Sequence, residues 1–223
     1  MSTTSEHRSY DAFVFDLDGT LLDTLPDLVA VTNEALASCG FPLRTREQIK
    51  SYVGNGVRAL MYQAVPEDTP PDEAERAMAE WKRIHPLIGT KLTRPYPGIV
   101  ETVGALRQRG AKTAVLSNKF DGGVQQVMEQ FMPGLFDARH GEGEGFPRKP
   151  DPTGLLKTLD ELGVSPDRAV YAGDSPGDIV TARNAGTLAI GVSWGYHNAA
   201  ELEAAQADYV ITSAEQLLAL RPE

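Results

Sequence analysis

The chain has 223 residues, 41% of them hydrophobic and 23% charged, and a formal net charge of −10. That length holds one domain with a sizeable core, or such a core plus a smaller inserted domain. The acidic balance argues against a nucleic-acid partner, whose phosphates need a basic footprint, but leaves room for a small anion in a locally positive pocket. The opening MSTTSEHRS has no apolar stretch and reads as a loose tail, not as a signal peptide. Asp11–Phe15 then reads as a short, fully buried strand, apolar and aromatic, that stops abruptly at Asp16, Asp18, Gly19 and Thr20.

From about Pro26 to Arg94 helical periods dominate. Leu28, Val31, Ala35 and Leu36 share one face of a helix that ends near Gly40. Cys39, near its end, is the only cysteine, so no internal disulfide forms and a reducing, cytoplasmic setting fits. Thr45–Val53 follows with Thr45 as N-cap, then Gly56–Val65, then Pro71–His85 with proline in its first turn. Pro95 and Pro97 mark the exit from this block.

After Pro97 the texture alternates. A helix carries Ile99, Val103 and Leu106 and closes at Gly110; Lys112–Leu116 is a strand, Asp121–Phe131 a helix, and Phe136–Arg139 a weak strand. Pro152–Leu162 is a helix, Arg168–Ala172 a strand, Asp178–Ala185 a helix and Leu188–Val192 a strand, before a last unit of Asp208–Ile211 and Ser213–Leu220. The pattern predicts an α/β fold: a Rossmann-like parallel sheet with helices on both faces and an inserted helical bundle. Residues 1–24 and 95–223 form the α/β core, and residues 25–94 the insertion. No apolar run approaches the ~18 residues of a membrane span, so no membrane partner is expected.

Polar residues gather where the apolar runs stop. The first run ends in Asp16 and Asp18, the second in Ser117, Asn118 and Lys119, and a later one in Asp174, Ser175 and Asp178; Lys149 sits in RKPDP before a helix. In a parallel sheet these ends lie on one edge, so the aspartates converge. Converging carboxylates repel unless a cation sits between them. Oxygen ligands without a His or Cys cluster favour a hard cation, Mg²⁺ above others. Such an ion attracts phosphate, Lys149 adds charge against the same group, and Ser117 and backbone N–H groups are donors to its oxygens.

In order along the chain, DLDGTLLDT, LSNK, KPDP and GDSPGDIVTARNAG resemble the four signature motifs of the haloacid dehalogenase superfamily. The helical insertion after the first motif is similar to the cap of the branch that holds phosphoglycolate phosphatases, as are SYVGNGVRALM and GVSWGY. The resemblance implies a Mg²⁺-dependent phosphatase for a small phosphorylated metabolite, with phosphoglycolate as the named candidate. It implies Asp16 as the nucleophile that becomes an aspartyl-phosphate and Asp18 as general acid and base. It implies Asp16, Asp174 and the Asp18 carbonyl as Mg²⁺ ligands, Asp178 as a residue that orients them, and Ser117, Asn118 and Lys149 at the phosphate. Pro176–Gly177, between Asp174 and Asp178, departs from the expected helix start and puts only the local loop shape in question. A phosphosugar mutase with the same core is the alternative, and a phosphoaspartate signalling domain a more distant one. Asn55 and Arg58 are candidates for either substrate or solvent; His85, His140 and His197 lack ligand spacing, Trp81 and Trp194 read as packing residues, and Arg148 as a surface charge.

Overall fold

The sheet forms around β1 (Ala12–Phe15), a strand with every residue buried. In the computed structural model, which describes residues 10–220, two compact units are separate along the chain. One takes the chain up to Leu21 and again from Pro95; the other is Leu22–Arg94. The opening tail lies outside the described residues.

The first unit is α/β. After β1 come α5 (Ile99–Gln108), β4 (Lys112–Phe120), α6 (Asp121–Phe131), β5 (Ala138–Glu142), α7 (Thr153–Leu162), β6 (Ala169–Gly173), α8 (Pro176–Ala185), β7 (Leu188–Val192), α9 (Ala199–Ala204) and β8 (Tyr209–Ile211). A 3-10 turn, Ala214–Ala219, follows. The six strands run in the order β5-β4-β1-β6-β7-β8, and the described pairings are parallel. Side chains alternate across a strand. Ala12 and Val14 therefore join Leu155, Leu159, Ile179, Ala182 and Leu202 from α7, α8 and α9 in one core. Phe13 and Phe15 point to the opposite face, where the Phe15 ring meets Phe136 edge-on at 6.2 Å. A strand buried on both sides needs this unbroken apolar run.

The second unit holds α1 (Leu25–Ser38), α2 (Arg46–Tyr52), α3 (Gly56–Ala64) and α4 (Pro71–Ile88). The short segments β2 (Leu22–Asp23) and β3 (Arg94–Pro95) pair as a two-stranded ribbon. Thr45 caps α2 through a full capping box with Gln48. Asp27, in the first turn of α1, is buried and accepts from Leu92 N, from Thr93 N at 2.6 Å and from Thr93 Oγ1 at 2.7 Å. It fastens the returning chain to the start of α1. Trp81 on α4 stacks on His85 and donates its indole N–H to Thr32 Oγ1 at 3.2 Å.

Three elements differ from expectation. The fourth helix continues through Pro86 to Ile88, although proline offers no N–H to the Lys82 carbonyl; Gly89 then ends it at φ +63° with its N–H on the His85 carbonyl. β4 does not stop at Leu116. It runs to Phe120 with a register shift against β5, so Ser117, Asn118 and Lys119 stand on a bulged strand and not in a turn. β5 starts later than Phe136, whose ring is engaged with Phe15. α9 had a readable start in Asn198 and Glu201, which form a capping box.

Candidate active site

The parallel register brings distant residues to one edge. Phe15 stands beside Val115 on β4 and Ala172 on β6, so Asp16 lies one position beyond this register and Ser117 and Asp174 two. β1 is also the point from which the strand order runs in both directions, β4-β5 on one side and β6-β7-β8 on the other. Open α/β sheets form their ligand crevice at such a point. The Asp16 N–H donates to the Ala172 carbonyl at 2.9 Å and so sets the angle at which the carboxylate leaves the strand.

Carboxylate oxygens of Asp16, Asp174 and Asp178 lie within 4.8 Å of one another, and all three residues are buried. Burial pushes the Asp16 carboxyl up to about 6, with Lys149 pulling it down and the Asp178 charge pushing it up. Burial also holds Asp174 well above the ordinary carboxylate range, reinforced by the charges of Asp16 and Asp178. Burial alone would lower the Lys149 ammonium, but Asp16 and Asp178 outweigh it and hold the group well above its usual value. Lys149 Nζ lies 2.7 Å from Asp16 Oδ1 and 2.6 Å from Asp178 Oδ1.

The three carboxylates differ in how fully they are used. Asp178 is saturated: Oδ1 faces Lys149 and, at 3.2 Å, the Tyr171 hydroxyl, while Oδ2 accepts from Ser175 N at 3.0 Å and Ser175 Oγ at 2.6 Å. Ser175 and Asp178 form the capping box of α8, with Pro176 in its first turn, so the proline fits a helix start. Asp174 accepts from Thr20 Oγ1 at 3.1 Å and Tyr196 N at 2.7 Å. Asp16 Oδ1 is buried and faces the Lys149 ammonium at 2.7 Å in a charge-assisted contact. Crowded carboxylates that share a single ammonium are the donor set a hard divalent cation takes. Mg²⁺ fits these residues. Gly19, at φ +88°, and Gly195 press on the other side of Asp174, where a Cβ on either would strike its side chain.

Ser117 is buried, and its Oγ accepts from Lys119 N at 3.2 Å. Asn118 grips the Lys149 backbone, with Oδ1 accepting from Lys149 N at 2.8 Å and Nδ2 donating to Lys149 O at 3.4 Å. Its side chain thus places Lys149. The Asp18 carboxylate stands outside the three-carboxylate group and faces Lys119, whose Nζ is 3.4 Å from both of its oxygens. In the helical unit, Arg58 is engaged with Glu75 and Tyr62, and Asn55 stands at the N-cap of α3. Arg148 is a half-exposed charge, as expected, and is paired with Glu142.

Sequence reasoning missed Thr20, Tyr171 and Ser175 as partners of the acidic residues. Tyr171 had a signal: a phenol in the apolar strand AVYAG must find a hydrogen-bond partner, and it lies 3.0 Å from the Leu116 carbonyl. Trp194 does more than pack, because its indole N–H donates to Thr20 O at 3.0 Å and ties its loop to the turn after β1.

A family model described as haloacid dehalogenase-like hydrolase matches residues 13–192. A phosphoglycolate phosphatase of Vibrio vulnificus (strain YJ016) is 34% identical over 211 residues, covering 92% of each chain. A solved structure from Lactobacillus delbrueckii subsp. bulgaricus superposes with TM-score 0.90 at 35% identity, covering 96% of this chain and all of that one. The structure of a predicted phosphoglycolate phosphatase from Haemophilus somnus 129pt gives TM-score 0.88 at 27% identity, over 94% of this chain and 96% of that one.

Proposed function

The chain belongs to the haloacid dehalogenase-like hydrolase family, and on that footing we propose that it is a Mg²⁺-dependent phosphatase that hydrolyses a small phosphate monoester through an aspartyl-phosphate. The observation that carries the reading is the buried group of Asp16, Asp174 and Lys149 at one sheet edge, where converging carboxylates share one ammonium. Carboxylates crowded in this way repel one another unless a further cation joins them.

In this reading Asp16 attacks phosphorus, and the bond from phosphorus to the leaving oxygen breaks. Asp18 gives that oxygen a proton, then takes one from water, which attacks the same phosphorus and frees both phosphate and Asp16. Lys149 and Ser117 hold the transferring group and offset its charge, while Asn118 and Asp178 keep Lys149 in place. Asp16, Asp174 and the Asp18 carbonyl would hold Mg²⁺, which when bound supplies positive charge to the phosphoryl oxygens.

Relatives named phosphoglycolate phosphatase, at 34% identity over 92% of the chain, make phosphoglycolate the first ester to test. We assign the choice of leaving group to the helical unit Leu22–Arg94, which the phosphoryl chemistry does not use. The purified protein, given Mg²⁺ and a panel of phosphate esters, is expected to release inorganic phosphate, fastest from phosphoglycolate or a close analogue. An isomeric phosphosugar without phosphate release would replace the reading with a mutase. A long-lived phosphoprotein without turnover would replace it with a signalling domain.

A further inference from the structure

Lys119 belongs to none of the motif roles above, yet it is among the most constrained residues of the site. Its N–H donates to Ser117 Oγ at 3.2 Å within the bulged end of β4. Its carbonyl lies where a side chain on Gly141 of β5 would strike it. Its stem runs over Gly123 in α6, where an added Cβ would sit 3.3 Å from Lys119 Cε and 2.8 Å from the Phe120 ring. Glycine in a helix is destabilising, and so is glycine inside a strand. Two of them here make room for one lysine and its neighbour. The ammonium so placed is 3.4 Å from each oxygen of Asp18, and both side chains are mostly buried, at 12% and 17% exposure.

From this placement we propose that Lys119 is a positioning residue: it fixes the orientation from which Asp18 delivers a proton to the leaving oxygen. The proposal rests on the phosphatase reading and on Asp18 as its general acid. A flexible carboxyl reaches the productive angle only part of the time, and lost proton delivery is felt most by leaving groups that are poor without it. Both glycines and the serine hydroxyl serve this geometry, so the bulge in β4 acquires a purpose that phosphate binding alone does not give it.

The test uses aryl phosphates of matched shape and graded phenol acidity, from phenyl phosphate to p-nitrophenyl phosphate. None carries a second anionic group, so loss of simple anion binding by Lys119 would not vary along the series. The readout is kcat/KM, which reports the step in which the phenol departs. Lys119→Met is expected to lose about tenfold or more on phenyl phosphate and less than about threefold on p-nitrophenyl phosphate. Lys119→Gln serves the same purpose if the methionine variant does not fold, and Lys119→Arg should restore most of the loss. An equal loss along the series would overturn the proposal. Asp18→Asn is the control and should show the same tilt more steeply. If its loss is uniform, Asp18 is not the acid, and the role given to Lys119 falls with it. If Asp18→Asn tilts and the Lys119 variants do not, only the role of Lys119 is refuted.

Discussion

Asp27 in the helical unit and Asp16 in the α/β unit are both buried aspartates, and they are used in opposite ways. Asp27 is saturated by two backbone N–H groups and one hydroxyl, all from Leu92 and Thr93. Asp16 faces an ammonium and sits among two other carboxylates. A buried carboxylate whose lone pairs are all taken holds structure together. One crowded by its own kind is held ready for something that arrives later. The contrast separates scaffold from site more sharply than burial does, since both residues are buried.

The largest effect that would sharpen the contrast is at Asp16. Asp16→Asn keeps the shape but removes the attacking charge, so turnover should fall by about 10⁴-fold or more. Without metal the variant should be at least as stable as the parent, because a crowded charge is gone. Phosphate release together with thermal unfolding in chelator checks both halves. Substantial turnover by the variant would remove Asp16 from the chemistry.

Asp27→Ala should do the reverse. It leaves the buried Thr93 N–H and hydroxyl, and the part-buried Leu92 N–H, without their acceptor, at a cost of about 3 kcal/mol. Denaturant unfolding followed by the fluorescence of Trp81, which lies in the same unit, measures it. A loss below about 1 kcal/mol would show that water satisfies those donors and that the two aspartates differ less than their contacts indicate.

How far each of these roles could be read in advance depends on how local it is. The end of β1 was legible because AFVF changes to DLDGT in one step. Thr45 was legible as a cap, and α6 begins and ends where its pattern does, at Asp121 and Phe131. Asp27 was not legible. It is a first-turn acid in sequence, and its partners lie 65 and 66 residues further on. The run of β4 through Ser117, Asn118 and Lys119 was hidden for a similar reason: these residue types favour turns, and only pairing of Phe120 with Glu142 keeps them extended. At the site, the approach of Asp16, Asp174 and Lys149 followed from strand order. The saturation of Asp178 by Ser175, Tyr171 and Lys149 did not, because it depends on rotamers that only packing selects.

The smallest effect sought is a pH dependence confined to the crowded acidic site. In the metal-free protein Asp16 is raised to about 6, above its unfolded value of 3.8. The folded state therefore binds this proton more tightly. Its contribution to stability is present below about pH 4 and is lost as pH rises through about 6. Asp174 is shifted in the same direction, so the two titrations reinforce each other. Mg²⁺ needs the ionised carboxylates and must displace those protons at low pH, so its affinity should fall roughly tenfold per pH unit per proton below about 6. The rise in Tm on adding Mg²⁺ should be larger at pH 7.5 than at pH 5, and Asp16→Asn should flatten the difference. A Mg²⁺-induced rise that is constant from pH 5 to 8 would mean that the ion does not meet Asp16 or Asp174. Asp16 would then stand closer to Asp27 than its crowding by other carboxylates indicates.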